Sequence, residues 1–264
     1  MSGDTAEAVT RVRAEAPVVH NITNFVVMNT TANALLAIGA SPVMAHAPNE
    51  VEAMVGIARA LVLNIGTLSD PWIEAMHLAG RAARARGVPV VLDPVGAGAT
   101  AYRTEMARRL LEDVRPTIVR GNASEVRALA GAAGATRGVD SVHGTEESLD
   151  AARALSQAYG CVVSVSGAVD LVVHGDRVAR VHNGVPLMTR VTGMGCTASA
   201  LTGAFAGVAT DAFTAATHAM AVIGVAGEEA AAHAAGPGSF QVQILDALFS
   251  LAPVDFERRA RIVG

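Results

Sequence analysis

Short runs of β-branched residues recur along the chain: PVVHN near 17–21, SPVMAH at 41–46, ALVLNIG at 60–66, VPVVLDPVG at 88–96, TIVRGN at 117–122 and CVVSVSG at 161–167. Each is bounded by a turn residue, and most are followed by ten or more residues with helical spacing of apolar positions. That alternation predicts an α/β fold: a mostly parallel central sheet with helices on both faces. The runs are apolar continuously rather than alternately, as strands covered on both sides are. Over 170–182 the pattern changes to two alternating runs around Gly175-Asp176, which predicts a hairpin near one edge of the sheet. From Gly195 to about Ser250 the spacing is almost wholly helical. With no repeat, low-complexity tract or linker along the way, residues 1–264 are expected to form one domain.

Composition narrows the classes of function. The chain has 264 residues, 51% hydrophobic, 17% charged and 3% aromatic, which excludes a disordered or fibrous protein. Its formal charge of -4 leaves no basic surface for a phosphate backbone, and so few aromatics offer no base-stacking platform, so nucleic acid is excluded as a partner. Mean hydropathy is +0.38, but the apolar stretches Ala198–Ala209 and Ala212–Ala235 are alanine- and glycine-rich, and His218, Glu228 and Glu229 interrupt the second. Buried helices account for them better than membrane spans. The opening MSGDTAEAVTRVRAEAP is polar and carries no cleavage pattern, so the expected location is cytoplasmic. Two cysteines, Cys161 and Cys196, in unlike surroundings read as free thiols. All 20 cationic residues are arginines. There is no lysine for a Schiff base, a pyridoxal phosphate linkage or a P-loop, so any phosphate must be met by arginine, backbone amides and metal.

In parallel sheets small molecules bind beyond the carboxyl ends of the strands. The residues at the ends of these runs are Asn21, Thr23, Asn24, Met44, Gly66, Asp93, Arg120, Asn122, Glu125 and Ser166, polar but for Met44 and Gly66. Each alone reads as a loop cap or turn former; their joint placement makes a candidate site.

Three segments carry chemistry. In VTGMGCTASA, residues 191–200, Gly193 and Gly195 precede a helical run opened by Cys196, so successive amides can converge on an anion at the positive end of the helix. The competing reading is close helix packing, which GAFAG at 203–207 also suggests. A helix N-terminus should lower the Cys196 thiol pKa, whereas a bound phosphate would raise it. No histidine lies in a recognisable partner motif for that thiol. In VLDPVGAGAT, residues 91–100, Asp93 stands at a strand end and can hold a magnesium ion or its waters. In TIVRGNASE, residues 117–125, Arg120 suits a bidentate phosphate contact and Glu125 follows Asn122 by three residues, a spacing equally suited to a helix-capping box. GAGATA at 96–101 and GMGCTA at 193–198 fit the dinucleotide fingerprint only by letter, since neither opens the first βαβ unit. Neither HExxH nor CxxC occurs, so no zinc signature is present.

HNITN (20–24), ASPVMAHAPNE (40–50), LNIGTL (63–68), VLDPVGAGAT (91–100), VRGNASE (119–125), VSVSGAVD (163–170), VTGMGC (191–196) and GPGSFQ (236–241) resemble, in the same order, the blocks of bacterial hydroxyethylthiazole kinases. The resemblance runs from about residue 17 to about 250. It implies a ribokinase-like three-layer sandwich and phosphorylation of the hydroxyl of 4-methyl-5-(2-hydroxyethyl)thiazole by ATP, a thiamine salvage step. Carried over by position, Met44 and Gly193 match substrate contacts, and Arg120 and Ser166 match ATP contacts. Asp93 and Glu125 match the acidic positions around magnesium. Cys196 matches a position that in most ribokinase-like relatives is an aspartate base, and Met194 departs from the usual glycine turn. The resemblance also implies a homotrimer with the site between subunits.

Phosphoryl transfer to an alcohol needs alignment and charge stabilisation. The expected division of labour gives the amides of Gly193 to Cys196 the γ-phosphate, Arg120, Ser166 and Asn122 the rest of ATP, and Asp93 with Glu125 the metal. Met44, Val26, Asn24 and Gly66 would line a mostly carbon-walled thiazole pocket. Competing readings are a ribokinase-like kinase of a pyrimidine or pyridoxal alcohol, an ATP-dependent dehydratase of hydrated nicotinamide nucleotides, and a non-catalytic nucleotide-binding regulator. The glycine-rich stretch 131–148 reads as a polar surface loop.

Overall fold

The apolar runs become strands in the computed structural model, which describes residues 3–132 and 144–264; most of the predicted loop at 131–148 lies outside the described residues. Chain order is α1 (Gly3–Glu15), β1 (Val18–Ile22), α2 (Met28–Ile38), β2 (Ser41–Val43), α3 (Val51–Ile57), β3 (Ala60–Asn64), α4 (Asp70–Arg86), β4 (Val90–Asp93), α5 (Ala101–Val114) and β5 (Ile118–Asn122). It continues with α6 (Ala123–Ala132), α7 (Gly144–Tyr159), β6 (Val162–Ser166), β7 (Asp170–His174), β8 (Arg177–Val181), a 3-10 turn (Pro186–Arg190), α8 (Met194–Ala206), α9 (Ala212–His233), α10 (Pro237–Ser250), α11 (Pro253–Arg259) and β9 (Ile262–Val263). The strands form one sheet in the order β2-β1-β3-β4-β5-β6-β7-β8-β9. Pairing is parallel from β2 to β6 and antiparallel from β6 to β9. The hairpin around Gly175-Asp176 is β7–β8, as predicted. The outermost strand, β9, is two residues long and carries too little pattern to be read from sequence.

Successive strand residues point to opposite faces of a sheet. On one face Val19, Val62, Val91, Ile118 and Val162 pack with residues of α1, α2, α8, α9 and α10. On the other, Leu61, Leu63, Leu92, Val119 and Val163 pack with residues of α3, α4, α5, α6 and α7. These are the three layers the alternation implied. The two alanine-rich stretches are α8 and α9, buried along most of their length, and among the described residues no helix is long and apolar enough to cross a membrane. The GAFAG segment does serve packing: a β-carbon on Gly203 would stand 2.7 Å from Val62 Cγ2, so α8 lies directly on the sheet.

Period-two alternation also aims the polar strand ends. Two residues beyond the core valines and isoleucine of the α8 face stand Asn21, Asn64, Asp93 and Arg120, and four beyond Val162 stands Ser166. Their strands end level, with Asn64 paired to Asp93 and Asn122 to Ser166. The polar side chains therefore meet the first turn of α8 where the core gives out.

Candidate active site

At that meeting point a chain of side chains runs across the sheet. Ser199 Oγ and Asn64 Nδ2 donate to Asp93 Oδ2 at 2.7 and 2.8 Å. Asn64 Oδ1 accepts from Asn24 Nδ2 at 2.8 Å and from the Gly66 amide at 3.0 Å. Asn24 Nδ2 also reaches Cys196 Sγ at 3.5 Å, and its Oδ1 takes the Val26 amide at 3.1 Å. A β-carbon on Gly66 would stand 2.5 Å from Asn24 Nδ2, which is why glycine occupies that turn.

Charge is arranged against this network. Burial pushes the Asp93 carboxyl up to about 6, although Arg120, Ser199 and Asn64 favour its ionised form. Burial likewise pushes Asp170 up to about 6, against the Gly167 amide at 2.9 Å and the field of Arg120. Arg120 acts on both carboxylates through space; the residue is 5% exposed, and its buried Nε finds no acceptor. A buried cation so placed is costly until an anion arrives.

A cavity adjoins this cation. Arg120, Ser166, Gly193, Gly195 and Asp170 lie on the wall of a cavity of about 640 Å³, closed on its far side by Asn183–Met188 and by Met220, Ile223 and Gly224 of α9. Gly193 caps α8 in the left-handed region at φ 82°, and a β-carbon there would stand 2.7 Å from Val27 Cγ1. On Gly195 the same atom would stand 2.7 Å from Arg120 Nη1. The helix start therefore opens onto the cavity with bare backbone, and the guanidinium lies directly against it.

Other predicted residues are placed differently. Glu125 and Asn122 form the capping box: Asn122 Oδ1 accepts the Glu125 amide at 2.9 Å, and Glu125 Oε2 accepts the Asn122 amide at 2.8 Å. Glu125 Oε1 takes the Gly96 amide at 2.9 Å, tying the loop after β4 to α6, while the exposed Asn122 side chain stays outside the cavity wall. Asn21 Nδ2 is spent on the Val19 carbonyl, and Thr23 is buried. Met44 is half-buried beyond β2, and Val26 is 63% exposed; neither lines the cavity. Their sequence neighbours Phe25 and His46 belong to an aromatic cluster in which His46 stacks on Trp72 and Phe25 meets it edge-on, both at 4.3 Å.

One expectation is corrected. The Cys196 thiol is not lowered by its helix; burial and the Asp93 carboxylate push it up to about 11, outweighing Asn64, Asn24 and Arg120. In a half-buried site desolvation exceeds the half-charge of a helix end.

Four residues of the site were not singled out from sequence. Asn64 obeys the same period-two rule as Asp93 and was legible in ALVLNIG. Asp170 closes the block VSVSGAVD. Ser199 and Arg103 lie on helices and leave no local signal. Arg103 donates to the carbonyls of Ile65, Val95 and Gly66 at 2.9, 3.0 and 2.8 Å, clamping the loops after β3 and β4.

Comparison with known proteins places this geometry in a family. The model of the Hydroxyethylthiazole kinase family matches residues 9–253. A hydroxyethylthiazole kinase of Nitratidesulfovibrio vulgaris (strain DP4) is 58% identical over 99% of this chain and 98% of its own. The solved structure of a hydroxyethylthiazole kinase protein from Pyrococcus horikoshii OT3 is 45% identical, covers 99% of this chain and 98% of its own, and superposes with a TM-score of 0.92. A Staphylococcus aureus pyridoxal kinase solved with ADP, 17% identical over 81% of this chain and 88% of its own at a TM-score of 0.63, shares the ribokinase-like fold.

Proposed function

The chain belongs to the hydroxyethylthiazole kinase family, and on that premise we propose how its residues divide the work of phosphorylating the hydroxyl of 4-methyl-5-(2-hydroxyethyl)thiazole with ATP. The observation that carries the reading is Arg120: a buried guanidinium with an unsatisfied Nε, against the amides that open α8, on the wall of a cavity large enough for a nucleotide.

ATP lies in that cavity, its base toward Met220 and Ile223 and its phosphates toward Ser166, Arg120 and the turn at Gly193–Cys196. The amides of that turn hold the transferring phosphoryl group, and Arg120 balances its charge. The thiazole alcohol approaches from the Asn24, Gly66, Met44 and Val26 side, so that Cys196 stands between the two substrates. Because the thiol is protonated at neutral pH, it orients the attacking hydroxyl by hydrogen bonding and is a poor base. In a loose transition state the alcohol proton leaves late, which makes a strong base dispensable.

Magnesium fits the acidic pair by donor chemistry. Asp93 and Glu125 present hard carboxylate oxygens that keep lone pairs beyond their hydrogen bonds to Ser199, Asn64, Gly96 and Asn122. Among the described residues no group of three or more acidic, histidine or cysteine ligands gathers, so the ion is proposed to rest on these two carboxylates, water and phosphate oxygens. When bound, the ion would supply positive charge against the phosphates, which a lysine-free chain needs.

The substrate side is completed by a neighbouring subunit in a homotrimer. Phe25 and Val26, 64% and 63% exposed, stand next to Asn24 and leave apolar surface uncovered at that end. The single-domain reading rests on the one continuous sheet, and a cytoplasmic setting on the two free thiols. The test is incubation with ATP, magnesium and a panel of small alcohols. ADP release with the thiazole alcohol alone supports the reading; release with a pyrimidine or pyridoxal alcohol instead, or with none, refutes it.

A further inference from the structure

We propose that Arg261, through Glu228, is a positioning residue for the nucleotide: it braces the outer wall of the cavity and thereby sets the affinity for ATP. The inference rests on the reading of that cavity as the ATP site. Arg261 lies beyond residues 9–253, the span matched by the family model, and is not among the residues lining the cavity.

The wall is held at its far end by its own 3-10 turn, where the Met188 amide donates to the Val185 carbonyl at 3.1 Å, and at its near end by other elements. After β8 the chain leaves the sheet, and Asn183–Met188 runs along the cavity before the 3-10 turn ends. Glu228 of α9 supplies what this segment lacks. Its Oε1 accepts the Gly184 amide at 2.9 Å and Asn183 Nδ2 at 3.2 Å. One turn earlier on α9, a β-carbon on Gly224 would stand 2.5 Å from Asn183 Cβ, so wall and helix are in direct contact and a small shift of one displaces the other.

Glu228 is in turn fixed from outside. Arg261 Nη2 donates to Glu228 Oε1 at 2.6 Å and Nη1 to Oε2 at 3.3 Å, a forked contact that a lysine cannot copy. The same guanidinium donates to the His182 carbonyl at 2.6 Å through Nη2 and 3.2 Å through Nε. The Arg261 amide donates to Asn183 Oδ1 at 2.7 Å, while Asn183 Nδ2 donates to the Arg259 carbonyl at 2.9 Å. Beyond Arg261, β9 pairs with β8 and holds the brace on the sheet edge. Burial alone would raise the Glu228 carboxyl, yet Arg261, the Gly184 amide and Asn183 hold it below its ordinary value, as a fully engaged carboxylate should be.

Removing the Arg261 side chain leaves Glu228 without its outer partner, while Asn183 keeps the Arg261 amide and the Arg259 carbonyl. The freed end of the wall is therefore Gly184, whose amide follows Glu228 as the carboxylate shifts and narrows or opens the cavity. Pre-organisation is lost on the nucleotide side only, because the Asn24–Cys196 side shares none of these contacts.

The experiment compares wild type, Arg261→Ala, Arg261→Lys, Glu228→Gln and Arg120→Ala in steady-state kinetics with ATP and the thiazole alcohol, with thermal melts alongside. Arg261→Ala and Glu228→Gln are expected to raise KM for ATP about tenfold, with kcat and KM for the alcohol within about twofold of wild type. Arg261→Lys should recover part of the loss. Arg261→Ala or Glu228→Gln that lowers the melting temperature while leaving KM for ATP unchanged would reduce Arg261 to a structural role and overturn the proposal; should Arg261→Ala fail to fold, Glu228→Gln decides alone. If Arg120→Ala raises KM for ATP and these variants do not, the brace is wrong and the cavity reading stands. If Arg120→Ala also leaves ATP binding untouched, the cavity reading itself fails.

Discussion

The guanidinium of Arg120 occupies the space that a side chain on Gly195 would need: its Nη1 lies 2.7 Å from the position of that missing β-carbon. Gly195→Ala therefore forces the far end of a flexible side chain to move, which the fold tolerates, but it moves the buried guanidinium proposed to face the phosphates. Alanine also suits a helix better than glycine. Stability should change by less than about 1 kcal/mol, while turnover falls at least about a hundredfold, as for loss of one charge-stabilising donor. Kinetics and a melt on one preparation check both halves, and wild-type turnover in Gly195→Ala would contradict the role given to Arg120.

Cys196 leads to the opposite expectation. With its thiol pushed up to about 11, less than a thousandth is ionised at pH 7, so it contributes little as a base. Cys196→Ala should lose no more than about a hundredfold in turnover, the low end of what a positioned acid or base contributes. Alkylation of Cys196 at pH 7 should be slower than that of a free thiol and should accelerate only near pH 10 and above. Complete inactivity of Cys196→Ala with both substrates still binding would refute this.

These two cases mark what the sequence could and could not disclose. β1 to β6 were legible because strands within a covered sheet run apolar continuously, β7 and β8 because their alternation flanks the Gly175-Asp176 turn, and Asp93, Arg120 and Ser166 because polar residues end the continuous runs. Asn64 follows the same rule. Ser199 and Arg103 act across helices, where a single serine or arginine is indistinguishable from surface polarity. The shift at Cys196 depends on burial and on Asp93, 103 positions away in sequence, neither of which a helix N-terminus reveals. The capping box of Asn122 and Glu125 was readable as a pattern; that Glu125 also holds the Gly96 amide was not.

Asp170 yields a prediction about pH. Its folded value of about 6 lies above its ordinary 3.8, so the folded chain holds this proton more tightly than the unfolded chain does. Its ionisation therefore costs stability, nothing below about pH 4 and the full amount above about pH 6. Asp170→Asn keeps an acceptor for the Gly167 amide and removes the charge. It should be more stable than wild type at pH 8, on the order of 2 kcal/mol, with the gain vanishing near pH 4. Melts of the two proteins from pH 4 to pH 8 check the sign; a gain that instead grows on acidification would show that Arg120 pairs with Asp170 far more strongly than burial opposes it.

The exposed pair Phe25 and Val26 tests the assembly. Both lie more than 60% exposed beside Asn24, which contacts Cys196 and Asn64 within the site. Apolar side chains so exposed next to a site are explained if another subunit covers them and supplies the missing wall of the thiazole pocket. Light scattering of the wild type should then give the mass of three chains of 26.9 kDa each. Replacing both residues with serine should shift the mass toward one chain and raise KM for the thiazole alcohol about tenfold or more. ATP binding, measured directly, should stay near wild type, because the cavity proposed for the nucleotide is lined by neither residue. A wild type that runs as a single chain, or a double variant that still assembles and keeps its affinity for the alcohol, would leave Phe25 and Val26 without this role and confine the substrate pocket to one chain.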